Sequence, residues 1–335
     1  MKASPNLAAE RPKTSLSRQR HRLMHFGMLA AVSCWAANMV AIKEALFGFS
    51  PLALAQVRAL FTALLFGILF LVFGRASSLR ISRRRWPYFV LMALCGITVG
   101  QILFIRAISL TSVSHAALIV AMGPIMVLIL SVLMRFEPLT LLKALGMAIS
   151  FLGVLVLTFA RSAQGNHAHW LGDVLLLVQI LIFSYYTILM KGVADQYDPL
   201  ALNTIVFGLG ALMMLPYGAK AVWQVNWGQI PFRSVLGLAF MVVFSSVVAY
   251  LLFAYALSGL TASRVAAFNY LEPIFATALG IWLLADKVSS RGILGGALIL
   301  IGVYFTEQER GEDGGSKGLA DLESKSEIKA TRSRL

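Results

Sequence analysis

The stretch Phe268–Asp286, FNYLEPIFATALGIWLLAD, is apolar enough to lie in a lipid bilayer, yet it contains the acidic residue Glu272, followed directly by Pro273. The run of residues 261–285 around it can cross the hydrocarbon core, which takes about 20 helical residues. A carboxylate near the middle of such a span costs roughly 2.5–3.5 kcal/mol on the insertion scale, so these residues usually face a cavity and have a function. Pro273 removes one helical hydrogen bond and is a candidate hinge. The structural alternative is a protonated Glu272 that only hydrogen-bonds a neighbouring helix.

The remainder of the chain is similarly apolar. Its 335 residues are 59% hydrophobic and only 13% charged, which indicates a membrane protein and excludes an ordinary soluble domain. We predict an all-α integral membrane protein with ten transmembrane helices. The predicted spans are 24–45, 51–73, 87–108, 112–133, 140–160, 171–190, 199–219, 234–256, 261–285 and 289–306.

The distribution of basic residues predicts the orientation of these spans. With the N-terminus in the cytoplasm, 21 of the 29 lysines and arginines fall on the inner side, seven fall on the outer side, and Arg58 lies within a span. This is the positive-inside bias, so the net charge of +14 does not require a nucleic-acid partner. We expect a multi-pass protein of the cell (plasma or inner) membrane with both termini cytoplasmic. Residues 1–22 form a basic N-terminal tail, and residues 307–335 form a disordered C-terminal tail.

The two halves of the chain share a pattern of spaced residues. Pro-Leu-Ala-Leu occurs at 51–54 and again at 199–202, each time eight residues after a lysine. The matched pairs, which are separated by 148 or 149 residues, are Trp35/Phe183, Lys43/Lys191, Pro51/Pro199, Pro124/Pro273, Glu137/Asp286, Gly146/Gly295 and Gly153/Gly302. We predict an internal duplication with five-helix repeats at 23–160 and 171–306. Because five is odd, the second repeat is inverted, which is typical of secondary transporters with a site near the membrane midplane.

These residues resemble the EamA-type family of the drug/metabolite transporter superfamily. The matching positions are Trp35, Asn38, Lys43, Pro51, Arg58, Gly172-Asp173, Tyr250, the Tyr-Leu-Glu-Pro of 270–273, and the acid and glycines that end each repeat. The resemblance covers roughly residues 24–306 and implies a central cavity lined by both halves, with alternating access. Two departures are Gly123, at the position that corresponds to Glu272, and Asp286, where the family usually has Glu. The first of these implies an asymmetric cavity with a single buried carboxylate.

Polar and aromatic residues at similar depths are candidates for the cavity wall. The candidate substrate-binding residues are Trp35, Asn38, Arg58, Gln101, Tyr186, Tyr250, Asn269, Tyr270 and Glu272, with Pro124 and Pro273 as hinges. Interhelical hydrogen bonding or packing is the alternative role for these groups, including Arg58. No metal site or cofactor is expected, because Cys34 and Cys95 lie in spans and the His167/His169 pair has no acid or Cys spaced nearby.

The combined pattern favours a secondary transporter, with export as the preferred direction, that moves small metabolites by alternating access. Amino acids as substrates are implied by the resemblance alone. The expected partners are a small-molecule substrate and membrane lipids, together with protons if Glu272 carries one. No Walker A, GxSxG or HExxH motif occurs, so we do not expect an enzyme. The alternatives are a membrane-embedded enzyme that acts on lipid headgroups and a non-transporting membrane scaffold. The sequence does not indicate the oligomeric state.

Overall fold

The computed structural model describes residues 13–74, 81–111, 116, 119–159, 170–275, 278 and 290–308, and the regular elements within these ranges are helices. The outermost parts of both predicted tails, residues 1–12 and 309–335, lie outside the described residues, as does Asp286. The predictions made for those positions therefore stay predictions.

We number five principal helices in each half of the described structure. The first half contains α1 (Lys13–Ala45), α2 (Pro51–Phe73), α3 (Arg83–Leu110), α4 (Gly123–Leu133) and α5 (Leu141–Phe159). The second half contains α6 (Trp170–Lys191), α7 (Pro199–Trp223), α8 (Phe232–Leu257), α9 (Ala262–Ala267) and α10 (Ser290–Gln308). Helix α1 begins well before the predicted start at residue 24, because no glycine or proline interrupts residues 13–24.

Six helices in the described ranges are long and apolar enough to cross a membrane. They are α1 (from Gln19), α2, α3, α6, α7 and α8. Helix α4 is apolar but shorter, as are the apolar parts of α5 and α10. The chain is therefore a multi-pass, all-helical membrane protein, and the full count of ten spans remains a prediction.

The repeated Pro-Leu-Ala-Leu segments begin the second helix of each half. Ser50 precedes Pro51 and accepts a hydrogen bond from the N–H of Ala53, while Asp198 precedes Pro199 and accepts from the N–H groups of Leu200 and Ala201. An oxygen-bearing cap followed by proline at the first helical position is a strong start signal, because proline lacks the N–H that would otherwise be unsatisfied. The two segments thus have the same local structure for the same reason.

Helices α3 and α8 both contain a π-helical stretch, at Leu94–Val99 and Met241–Val248. The two stretches overlap when the second half is shifted by 149 residues onto the first. A π-helical turn widens the helix and changes which residues face a neighbour, and such turns occur frequently at functional sites. The sequence analysis did not predict them.

Helices from the two halves pack in a pairwise pattern: α1 against α8, α3 against α6, α2 against α7, α4 against α9, and α5 against α10. The last pair crosses closely, because a Cβ on Gly146 would lie 2.7 Å from the carbonyl oxygen of Gly302, and one on Gly153 would lie 2.7 Å from that of Gly295. Residue numbers rise along α5 as they fall along α10. The two helices therefore run antiparallel, which is the arrangement that the predicted inverted duplication requires.

Two partly buried lysine contacts also occur at equivalent positions in the two halves. Lys43 Nζ, at the end of α1, donates a hydrogen bond to the carbonyl of Ile108 at 2.5 Å. Lys191 Nζ, at the end of α6, donates to the carbonyl of Leu257 at 2.9 Å. Ile108 and Leu257 are 149 residues apart, so both lysines end the first helix of a repeat by binding the end of the third.

Candidate functional site

A cavity of about 100 Å³ lies between helices of both halves, with room for several water molecules. Helices α1, α2, α3, α4, α6, α8 and α9 contribute to its wall. The polar residues that line it are Asn38, Arg58, Gln101, Gln179, Ser184, Thr187, Tyr250, Asn269 and Glu272. The principal apolar residues are Trp35, Phe104, Val120, Val127, Ile180, Phe183 and Phe253.

Seven of the nine candidates from the sequence line this one cavity: Trp35, Asn38, Arg58, Gln101, Tyr250, Asn269 and Glu272. Tyr186 and Tyr270 do not. Both are fully buried among packed side chains, and a Cβ added to Gly96 would lie 2.5 Å from the Tyr186 ring. Tyr186 is thus held against the π-helical stretch of α3 rather than exposed to the cavity. A substrate-binding role for the other seven stays a prediction.

Arg58 and Glu272 bring a basic and an acidic side chain to the cavity. Their side chains are only 4% and 7% exposed, respectively. Arg58 Nε donates a hydrogen bond to Ser246 Oγ at 3.0 Å, which holds the guanidinium against the π-helical stretch of α8. Among the described residues, Glu272 has neither a hydrogen-bond donor nor a cation within bonding distance. An ionised carboxylate buried in this way costs several kcal/mol of desolvation unless a nearby counter-charge offsets it.

Three amide side chains in the cavity also have unsatisfied atoms. Asn38 Oδ1, Asn269 Oδ1 and both polar atoms of Gln101 are buried without a partner among the described residues. A buried amide left unpaired costs about 1–3 kcal/mol. Water or a bound ligand would supply the missing hydrogen bonds, so these atoms mark the polar part of the site.

Aromatic rings form the apolar part of the wall. Trp35 contacts Phe183, Tyr250 and Phe253 edge to face, with ring centroids 5.5–6.4 Å apart. Its indole N–H is already used, because Nε1 donates to the carbonyl of Ser245 at 3.1 Å. Trp35 therefore offers the cavity an apolar surface instead of a hydrogen-bond donor.

The two candidate hinges follow breaks in the helices. A turn at 121–122 precedes α4, so Pro124 occupies the start of that helix, where its missing N–H costs little. Phe268–Leu271 forms a 3₁₀ turn between α9 and the helical residues 272–275 that contain Pro273. A Cβ on Gly123 would have no atom closer than 3.8 Å, so the cavity has space at this position. Movement at either proline stays a prediction.

The sequence analysis missed several groups at the site. Gln179, Ser184 and Thr187 extend the polar wall along α6, and Ser246 orients Arg58. Gln179 could have been predicted as a cavity residue, since an amide within the predicted span 171–190 is unusual. Serine and threonine residues could not, because their hydroxyls commonly bond within their own helix, as Thr187 does to the carbonyl of Phe183 at 2.9 Å. Within the described ranges, no three His, Cys, Asp or Glu side chains gather as a metal site would require.

Comparison with known proteins adds family information to this geometry. The EamA-like transporter family matches residues 22–159 and, a second time, residues 170–307. An uncharacterized transporter of Archaeoglobus fulgidus is 27% identical over 279 residues, which cover 83% of this chain and 96% of that protein. The S-adenosylmethionine/S-adenosylhomocysteine transporter of Chlamydia muridarum is 25% identical, with 78% of this chain and 83% of that protein covered. A solved crystal structure superposes with a TM-score of 0.70 at 16% identity over 84% of this chain and 95% of that one, which shows a shared fold.

Proposed function

Because the chain belongs to the EamA-like transporter family, we propose that it is a secondary transporter, and not an enzyme, that moves a small metabolite through the central cavity by alternating access. The proposed direction is export across the cell membrane. The observation that carries the proposal is the buried carboxylate of Glu272, which lines a cavity between the two halves and has no partner among the described residues. A residue that only supported helix packing would be expected to have one.

Alternating access requires two halves that can exchange roles. The antiparallel crossing of α5 and α10 and the equivalent contacts of Lys43 and Lys191 support an inverted duplication of residues 23–160 in 171–306. Ten spans follow if each repeat contributes five. In such transporters the site lies at the interface of the repeats, and access alternates by movement of one bundle against the other.

Glu272 has two possible roles in this mechanism. Its carboxylate can bind the amine of a substrate, or it can carry a proton that is exchanged for substrate. Under either role, Glu272→Gln keeps the size of the side chain and removes its charge. We therefore expect the variant to fold and to lose most of its transport. The two roles differ in whether exchange of substrate at equal concentrations survives the change.

The test uses purified protein in liposomes, with uptake and efflux of a labelled metabolite panel measured with and without a pH gradient. The panel includes amino acids, S-adenosylmethionine and S-adenosylhomocysteine. Loss of gradient-driven accumulation with retained exchange indicates a proton carrier, whereas loss of both indicates an amine ligand. Glu44→Gln is the matched control, because Glu44 is partly exposed and does not line the cavity. Transport by Glu272→Gln at the wild-type rate at every pH would contradict the proposal.

The proposed topology has a test of its own. With both termini in the cytoplasm, short tags at residues 1 and 335 react with an impermeant reagent only after the membrane is opened. A tag that reacts on intact cells would contradict this orientation. Such a result would not contradict the described fold or the cavity.

A further inference from the structure

The central cavity has walls at equivalent positions in the two halves. Around α3 and α4 in the first half and α8 and α9 in the second, four pairs of lining residues are separated by 149 positions: Gln101/Tyr250, Phe104/Phe253, Val120/Asn269 and Gly123/Glu272. The first pair is polar in both halves, and the second pair is aromatic in both. Helices α3 and α8 therefore offer the cavity the same kinds of side chain.

The other two pairs differ in character between the halves. Asn269 and Glu272 bring an amide and a carboxyl group to the wall next to α9. The equivalent residues, Val120 and Gly123, have no polar side-chain atom, and Val127 continues their surface one turn further along α4. We call Val120, Gly123 and Val127 the α4 wall. The cavity is thus polar next to α9 and apolar at the α4 wall.

Gly123 leaves open space on the α4 wall. Among the described residues, a Cβ built on Gly123 would have one neighbouring atom within 4 Å, Cγ2 of Ile180 at 3.8 Å, which is an ordinary van der Waals distance. Gly96 also lines the cavity, but a Cβ there would lie 2.5 Å from the Tyr186 ring. Packing therefore requires glycine at position 96 and does not require it at position 123, where the missing side chain adds to the cavity instead.

We infer that Gly123 sets the size of the apolar group that the cavity accepts, with the apolar end of the substrate against the α4 wall. This inference rests on the proposed function and adds a specificity-determining residue to the same cavity. A group that fills the space beside Gly123 loses its contact with water, so its affinity rises with the apolar area that it buries. Once the space is full, a further methylene group overpacks the wall and the affinity falls.

The space at Gly123 is first tested without a substrate. Gly123→Cys, in a protein lacking Cys34 and Cys95, is treated with methyl, propyl and benzyl methanethiosulfonate. Each reagent transfers its thio group to the cysteine thiolate, which forms a disulfide and releases methanesulfinate. We expect labelling at this position. Ala211→Cys is the packed control, because Ala211 is buried on α7 and does not line the described cavity, so it should stay unlabelled.

Three ligand series then test the size limit. Each series carries a methyl, an isobutyl or a benzyl group on one polar head. The series are alanine, leucine and phenylalanine; ethylamine, 3-methylbutylamine and 2-phenylethylamine; and propanoate, 4-methylpentanoate and 3-phenylpropanoate. Binding to the purified full-length protein is measured by thermal stabilisation, and flux is measured in liposomes. In at least one series, Gly123→Val should weaken binding of the benzyl member about 10-fold more than binding of the methyl member, the effect of a methylene group in a filled pocket.

A second variant changes the same wall in the opposite direction. Val127→Ala enlarges the space and should shift the preference toward the benzyl member. Gly208→Val is the matched control, because a Cβ on Gly208 of α7 also meets no described atom within 4 Å, yet this glycine does not line the cavity. It should leave the order of preference unchanged. Gly123→Ala places a better helix former at the start of α4, so its unfolding temperature should be equal to that of the wild type or higher.

The results separate this inference from the transporter proposal. Labelling of Gly123→Cys, with opposite shifts of size preference in Gly123→Val and Val127→Ala, supports the inference. It is overturned if Gly123→Cys is not labelled, if the wild type binds no member of any series, or if either variant leaves the size preference unchanged. Flux of any panel metabolite would then leave the transporter proposal standing. Size-dependent binding without flux of any metabolite would keep Gly123 as a binding residue and overturn the transporter proposal.

Discussion

The carboxylate of Glu137 accepts a hydrogen bond from the backbone N–H of Ser263 at 3.0 Å and another from the Ser263 hydroxyl, although the two residues are 126 positions apart. Lys143 Nζ forms a buried ion pair with the same carboxylate at 3.1 Å. Glu137 follows α4 and Ser263 lies in the first turn of α9, so this cluster joins the two halves of the chain near one end of the cavity helices.

We expect this cluster to stabilise the described conformation. Ser263→Ala removes the hydroxyl but not the N–H, so it should lower the free energy of unfolding by about 1 kcal/mol. Glu137→Gln weakens the contacts to both Ser263 and Lys143 and should cost about 2–3 kcal/mol. The measurement is reversible unfolding in mixed detergent. Glu44→Gln is the control, since its pair with Arg233 is exposed and 4.0 Å long, and such pairs contribute little. Equal stability of Glu137→Gln and wild type would refute this role.

The close crossing of α5 and α10 predicts a difference between two glycines. A Cβ at Gly153 would lie 2.7 Å from both the carbonyl oxygen of Gly295 and the backbone nitrogen of Ile299. Gly153→Ala must therefore push two backbones apart, and we expect a loss of about 1–3 kcal/mol. Gly296→Ala, on the same helix pair, meets no atom within 4 Å and should be neutral or stabilising by up to about 1 kcal/mol. Similar melting temperatures for the two variants would contradict the crossing.

The cavity predicts which positions react with a small soluble thiol reagent. Single cysteines at Asn38, Gln101 and Asn269, in a protein lacking Cys34 and Cys95, should be labelled because their side chains line the cavity. A cysteine at Tyr186 should be protected, because that side chain is packed against Gly96. Substrate should slow the labelling of the first three. Uniform protection of all of them would show that the cavity is not water-accessible in the membrane.

Removal of single hydroxyls distinguishes packing tyrosines from cavity tyrosines. The Tyr186 hydroxyl is buried without a partner in the described part of the chain, so Tyr186→Phe should leave transport unchanged and the stability equal or higher. Tyr250 lines the cavity, and we expect Tyr250→Phe to weaken substrate binding by about tenfold, the effect of one lost hydrogen bond. The comparison is made by transport kinetics at several substrate concentrations. A larger effect at Tyr186 than at Tyr250 would reverse the assignment.

The sequence determined the class of the protein and the positions of its duplicated residues. Hydrocarbon excludes unpaired backbone groups, so long apolar runs must be helices, and a polar residue such as Glu272 stands out against them. The spacing of Pro51 and Pro199 survives in both halves because each proline has a local role, which is to start a helix. Roles of this kind can be recognised from one segment at a time.

Tertiary structure alone decided which polar groups meet. The ring centroids of Tyr186 and Tyr250 lie 6.4 Å apart, yet only Tyr250 lines the cavity, because the rotation of each helix about its axis depends on its neighbours and on the π-helical stretches. Arg58 and Glu272 line the same cavity, and Glu137 contacts Ser263, although the two members of each pair are more than 120 residues apart in the sequence. Contacts of this kind depend on how the two halves pack together, and the period and composition of a single helix contain no information about that packing.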